Sequence, residues 1–117
     1  MLSVPSQVKI FLCAEVTDMR KGFDTLAGVV REVLALDPLS GHLFVFRSRR
    51  GDRVKLLWWD EDGWALFYKR LEAGRFSFPT ARDGQRSVTI SATDLAMLLD
   101  GVDLASVRRG KRFRRAV

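Results

Sequence analysis

The fold is decided by residues 41–71, which read GHLFVFRSRRGDRVKLLWWDEDGWALFYKRL. Within this stretch, three runs rich in Phe, Trp, Tyr and Val have the composition of strands on a half-buried sheet. These runs cover residues 41–46, 54–60 and 64–71. Two turn signals separate them, the pair Gly51-Asp52 and the DEDG segment at residues 60–63. The stretch therefore predicts a three-stranded antiparallel β-meander.

Two helices are predicted outside the meander. Apolar residues recur at spacings of three and four between residues 19 and 35, which is one face of an α-helix, and Thr17 or Asp18 is a suitable N-cap. Ser91 begins SATD, a capping-box pattern that favours a shorter helix at about residues 92–100.

Short strands at residues 8–14 and 86–90 complete the predicted elements. We therefore expect an α+β fold, with an antiparallel sheet of four or five strands and the two helices in one compact domain spanning residues 1–107. Residues 108–117 are expected to be a disordered basic tail.

The composition restricts the class of protein. A chain of 117 residues favours one domain, and 47% apolar residues are typical of a globular chain. No apolar run approaches the ~18 residues that span a bilayer. The apolar start has no basic segment before it, which argues against a signal peptide, and Cys13 is the only cysteine. A cytoplasmic protein without membrane contact is expected.

The net charge of +6 is concentrated in two segments. Residues 108–115, RRGKRFRR, contain six basic residues and no acidic residue, and residues 47–55 contain five basic residues and one acid. The rest of the chain is slightly acidic. Such clustering is the sequence footprint of a surface that binds a polyanion.

Both basic segments are therefore predicted to bind nucleic acid. Arginine suits this role because its guanidinium group matches two phosphate oxygens at once. Since alternate residues of a strand share a face, cations on the two sides of the hairpin turn are expected to form one charged surface. The predicted residues are Arg47, Arg49, Arg50, Arg53 and Lys55 in the hairpin and Arg108, Arg109, Lys111, Arg112, Arg114 and Arg115 in the tail. The alternatives are a solvated hairpin paired with Asp52 or Asp60, and a tail that only adds solubility.

No residue pattern predicts catalysis, a metal site or a cofactor. The acidic residues Asp60, Glu61 and Asp62 are consecutive, which is typical of a tight turn. His42 is the only histidine and has no companion ligands in sequence. The aromatic residues of the meander favour core packing over base stacking.

Three segments together resemble one known family. They are DMRKGFDTLAGVV (18–30), residues 37–79, and TDLAMLLDGVD (93–103). They resemble the TnpB accessory protein encoded by the second reading frame of IS66 insertion sequences, which is distinct from the RNA-guided nuclease of the same name. The resemblance implies a role in transposition beside a separate transposase, but it transfers no catalytic residue. Among its motif positions, the residues expected to form an additional basic surface are Arg20, Lys21, Lys69, Arg70 and Arg75.

The expected function is that of a non-catalytic DNA-binding or complex-assembly factor in transposition. Its expected partners are DNA, the transposase and other element-encoded proteins, and its oligomeric state is left open. One alternative is a protein-interaction adaptor that docks on the transposase through the aromatic meander without touching DNA. A second alternative is a small metal-dependent nuclease.

Overall fold

The computed structural model describes residues 4–101, which form five strands and two helices. The α+β class, the number of strands and the two helices are confirmed. The elements are β1 (Ile10–Cys13), α1 (Phe23–Glu32), β2 (Leu43–Arg47), β3 (Arg53–Asp60), β4 (Gly63–Arg70), β5 (Ser87–Ile90) and α2 (Ala92–Leu99). The strands form one sheet in the order β4-β3-β2-β1-β5.

The sheet is mixed, whereas the sequence predicted an antiparallel one. Strands β2, β3 and β4 form the expected antiparallel meander, and β5 pairs antiparallel with β1. Strand β1, however, pairs parallel with β2. Parallel neighbours need a crossover connection, and the chain between β1 and β2 provides one through α1.

Both faces of the sheet are covered. On one face, Val45 and Leu56 pack in a core with Leu98 of α2. On the other face, Phe44 and Leu57 pack in a core with α1. Successive residues of a strand point to opposite faces, so a central strand covered on both sides is apolar throughout. This explains the unbroken apolar run of β2.

Helix α1 begins at Phe23, four residues after the predicted start. Its N-cap is Gly22, which makes no side-chain cap, so neither predicted residue, Thr17 nor Asp18, has that role. The preceding segment lies along the sheet instead, where the N–H of Thr17 donates to the carbonyl of Arg47 at 2.9 Å. In α2 the predicted cap is present, because the hydroxyl of Ser91 accepts the N–H of Asp94 at 3.0 Å.

Cys13 is buried in the core under α1, and this burial raises the pKa of its thiol. No helix within residues 4–101 has the length and apolar character needed to cross a membrane. The predicted domain boundary at residue 107 and the basic tail at 108–117 lie outside the described residues.

Candidate nucleic-acid interface

The tip of the β2–β3 hairpin is a fixed turn. The N–H of Ser48 donates to the carbonyl of Arg53 at 3.0 Å, and the hydroxyl of Ser48 accepts the N–H of Arg53 at 3.1 Å. The N–H of Gly51 donates to the carbonyl of Ser48 at 3.1 Å. Gly51 has a φ of 79°, a backbone angle that favours glycine. Arg49 and Arg50 occupy the outer positions of this turn and are exposed. The turn thus directs two guanidinium groups into solvent.

The segment of residues 71–76 also fixes the tip, from one side. The N–H groups of Leu71 and Phe76 donate to the carbonyls of Asp52 and Gly51, both at 2.8 Å. Phe76 is itself buried in the core under α2, so the segment is tied to the body of the protein. The side chain of Arg75 therefore lies beside Gly51, within 3.7 Å of the position that a Cβ atom would occupy there.

Two clefts flank the tip. The larger, about 540 Å³, lies between the tip and residues 16–20, and we call it the arginine cleft. Its charged lining residues are Asp18, Arg20, Arg49, Arg50, Asp52 and Arg53. The smaller, about 300 Å³, lies on the other side of the tip and is lined by Arg49, Arg50, Asp52 and residues 71–75. The fold therefore brings Arg20 and Arg75, which are distant in sequence, to the two sides of the same turn.

The arginines of the tip, Arg49, Arg50 and Arg53, form no ion pair with an acidic side chain of the described chain. Within residues 4–101 the ion pairs are Arg20 with Asp18 and Arg70 with Glu72. The carboxylate of Asp52 accepts from the hydroxyl of Ser48 at 3.3 Å instead. The alternative in which Asp52 or Asp60 pairs with the hairpin cations is therefore not observed in this part of the chain.

The pair of Asp18 and Arg20 lies at the outer wall of the arginine cleft. The guanidinium group of Arg20 donates from Nε and Nη2 to the two carboxylate oxygens, the shortest distance being 2.7 Å. These hydrogen bonds hold the pKa of Asp18 far below its usual range. The side chain of Arg20 is 91% exposed, so the surrounding water screens this attraction and Arg20 remains accessible.

Lys55 has a structural position. Its side chain is buried, and Nζ donates to the carbonyls of Met19 at 2.7 Å and Lys21 at 2.8 Å. The same ammonium group lies 4.6 Å from the ring centroid of Tyr68. Lys55 therefore fixes the segment that carries Arg20, and it does not extend toward a ligand.

Arg47 lies on the opposite face of the sheet from Arg53 and Lys55. The register pairs Arg47 with Val54, which belongs to the core under α2, whereas Lys55 pairs with Phe46 of the core under α1. Arg47 donates to the carbonyl of Ala14 at 2.7 Å and lies over the ring of Phe78. The prediction that Arg47 shares one surface with Arg53 and Lys55 is therefore wrong.

The additional basic residues divide between the two faces. Arg70 pairs with Arg53 across β3 and β4, so both lie on the α1 face. Lys69 lies on the α2 face, where its Nζ donates to the carbonyl of Leu99 at 2.6 Å, at the C-terminal end of α2. Cations are favoured at such helix ends. Lys21 is half-buried next to the arginine cleft.

Tyr68 is an exposed aromatic residue of the meander, and its exposure was not evident from the sequence. Among the meander aromatics, Trp58 and Phe67 pack against the core under α2, and Trp64 packs against the core under α1. Tyr68 instead is 48% exposed, and its hydroxyl lies 3.5 Å from Nη1 of Arg53. Tyr68 lies on β4, which is at the edge of the sheet among the described strands, and no local sequence pattern indicates this position.

The described part of the chain contains no candidate metal site. Within residues 4–101, no three His, Cys, Asp or Glu side chains group as metal ligands. Nδ1 of His42 accepts the N–H of Lys9 at 3.0 Å. The predicted cations of the tail, residues 108–115, lie outside the described residues.

Comparison with known proteins gives the family. The family described as IS66 Orf2 like protein matches residues 8–109. Two proteins of Sinorhizobium fredii are similar over nearly the whole chain: the uncharacterized protein y4hO, 47% identical over 103 residues that make up 88% of each chain, and the uncharacterized protein y4jC, 35% identical over 102 residues that make up 87% of this chain and 86% of the relative. No solved structure matches this chain significantly. The chain belongs to the IS66 Orf2-like family, and this membership implies an accessory role in transposition.

Proposed function

We propose that this protein serves IS66 transposition as a non-catalytic factor that binds the phosphate backbone of DNA at the arginine cleft. The observation that supports the proposal is the position of Arg49 and Arg50. Both are exposed on a fixed turn, and both line the two clefts that also contain Arg20, Arg53 and Arg75. Preformed guanidinium groups on one surface are suited to phosphate oxygens.

Positive charge is concentrated at the tip end of the hairpin. Arg53 and Arg70 are direct cross-strand partners, and like charges at such positions repel each other, although Arg70 also pairs with Glu72 at 3.1 Å. Arg49 and Arg50 add further positive charge at the same end of the hairpin. A bound polyanion would relieve this repulsion. The tail cations at 108–115 would add sequence-independent affinity as a basic arm.

Binding to duplex DNA tests the proposal. We expect the double variant Arg49→Ala/Arg50→Ala of the full chain to lose at least about tenfold in affinity, because each charge-assisted contact contributes on the order of 1.5 kcal/mol. The matched control is Lys9→Ala/Arg31→Ala, which removes two exposed cations that line neither cleft. Fluorescence anisotropy with a labelled duplex measures both, and equal affinities would overturn the proposal.

A second candidate function is a protein adaptor for the transposase. It is favoured by β4, an eight-residue strand at the edge of the sheet that pairs only with β3 among the described elements. Such an edge can accept a strand from a partner. In this case the purified transposase would bind the protein while the double arginine variant leaves DNA affinity unchanged.

A further inference from the structure

The exposed aromatic residues next to the arginine cleft carry an inference about its ligand. We infer that the cleft binds single-stranded DNA, with an unpaired base stacked on the ring of Tyr68. This inference rests on the proposed function, because the arginines provide the phosphate contacts beside the ring. It goes further by naming the form of DNA that the surface is built to bind.

Tyr68 lies on the same face as the arginines. Its cross-strand partner is Lys55, and the next pair toward the tip on the same face is Arg53 with Arg70. All four side chains therefore point to the α1 side of the sheet. Because Arg53 also lines the arginine cleft, a chain whose phosphates lie in that cleft passes beside the Tyr68 ring.

The ring is fixed in orientation before any ligand arrives. The ammonium group of Lys55 lies 4.6 Å from the ring centroid, and its hydrogen bonds to the carbonyls of Met19 and Lys21 keep it there. The hydroxyl lies 3.5 Å from Arg53. Nearly half of the residue nevertheless remains exposed. A rigid, exposed ring loses little conformational entropy when a base stacks on it.

A second exposed aromatic residue lies nearby. Phe23 is 46% exposed and begins α1, two residues after Lys21, whose carbonyl accepts the hydrogen bond from Lys55. Phe23 is not among the described residues that pack in either core, and aromatic rings beside a basic groove are the pattern of single-strand binding. In a duplex, base faces are covered by their neighbours, so only the arginine contacts would remain available.

The affinity of the full chain for two DNA forms tests the inference. The probes are a labelled oligo-dT of about 20 nucleotides, longer than the ~4–16 nucleotides of a compact single-strand site, and a duplex of the same length. We expect Tyr68→Ala to lower the affinity for oligo-dT about fivefold or more, the contribution of one stacked base, and to leave duplex affinity unchanged. Tyr68→Phe keeps the ring and is expected to bind oligo-dT like the wild type. Leu39→Ala, at an exposed apolar residue that does not line the cleft, is the matched control.

A spectroscopic measurement on the intact side chain keeps the test independent of folding defects. Tyr68 is the only tyrosine in the chain, so 3-fluorotyrosine labelling gives one ¹⁹F resonance. We expect this resonance to shift on addition of oligo-dT and to stay in place with the duplex. An unchanged resonance with oligo-dT, or an equal loss of affinity for both DNA forms in Tyr68→Ala, would overturn the inference. The proposed function is tested separately, since it fails if Arg49→Ala/Arg50→Ala binds the duplex as tightly as the Lys9→Ala/Arg31→Ala control does, whatever the result for Tyr68→Ala.

Discussion

At the scale of single residues, Lys55 shows that a cation in a basic cluster can have a structural role. Replacing it by Met keeps much of the aliphatic packing but leaves the carbonyls of Met19 and Lys21 without their donor. Hydrogen bonds to a charged donor contribute about 2 kcal/mol, so we expect Lys55→Met to lower the free energy of unfolding by roughly that amount. Urea denaturation measures it. The exposed Lys9→Met is the control, and equal stability of the two variants would contradict the structural role.

Replacing Asp18 is expected to raise the affinity for DNA, whereas replacing the tip arginines is expected to lower it. Its carboxylate lines the arginine cleft and repels phosphate, and its lowered pKa keeps it ionised from neutral to mildly acidic pH. Asp18→Asn removes this charge but retains an oxygen that can accept the N–H of Arg20. We expect a gain in DNA affinity of about two- to fivefold, since a single exposed charge contributes up to ~1 kcal/mol.

The control for this change is Asp24→Asn, an exposed carboxylate in the first turn of α1 that does not line the cleft. Anisotropy titrations of both variants give the comparison. A loss of affinity in Asp18→Asn would show that the carboxylate is needed to position Arg20, and it would contradict the repulsive role.

The sequence could identify the basic cluster but not the role of each cation in it. Alternation along a strand predicts which neighbours share a face, but the pairing across a turn depends on the number of residues in that turn. Here Arg47 pairs with Val54, so Arg47 and Arg53 face opposite sides of the sheet. Likewise, the exposure of Tyr68 follows from the strand order, which no local pattern contains.

At the scale of elements, replacing a glycine by alanine is expected to change stability in opposite directions at the hairpin tip and in α1. Gly51 has a φ of 79°, so a Cβ atom there is strained, and we expect Gly51→Ala to destabilise the protein by about 1 kcal/mol. Gly28 lies inside α1, where a Cβ atom would meet nothing within 4 Å. Gly28→Ala is therefore expected to stabilise by about 0.5–1 kcal/mol. Thermal unfolding measures both, and a shift of the same sign for the two variants would contradict the assigned backbone geometry.

The elements themselves were largely predictable because their local signals agree with the fold. The aromatic runs of the meander, its two turns and the Ser91 cap all have short-range causes. The late start of α1 has no short-range cause. The segment before Phe23 is held on the sheet by Lys55, a residue more than thirty positions away. The parallel pairing of β1 with β2 also depends on contacts distant in sequence.

At the scale of the whole molecule, the cations at the hairpin end have different environments on the two faces of the sheet. The α2 side uses its cations internally, with Arg47 on a backbone carbonyl and Lys69 at the end of α2. The α1 side and the tip expose Arg20, Arg49 and Arg50 to solvent. The proposed binding of DNA phosphates to this surface would release counterions, so we expect the affinity to depend on salt.

The dependence of duplex affinity on salt tests this account most directly. The logarithm of the binding constant falls with the logarithm of salt concentration by about 0.9 for each phosphate contact. We expect the slope for Arg49→Ala/Arg50→Ala to be less steep than that of the full wild-type chain by about 2, and the slope for Lys9→Ala/Arg31→Ala to be unchanged. Identical slopes for the wild type and the Arg49→Ala/Arg50→Ala variant would contradict the claim that the hairpin arginines contact DNA phosphates.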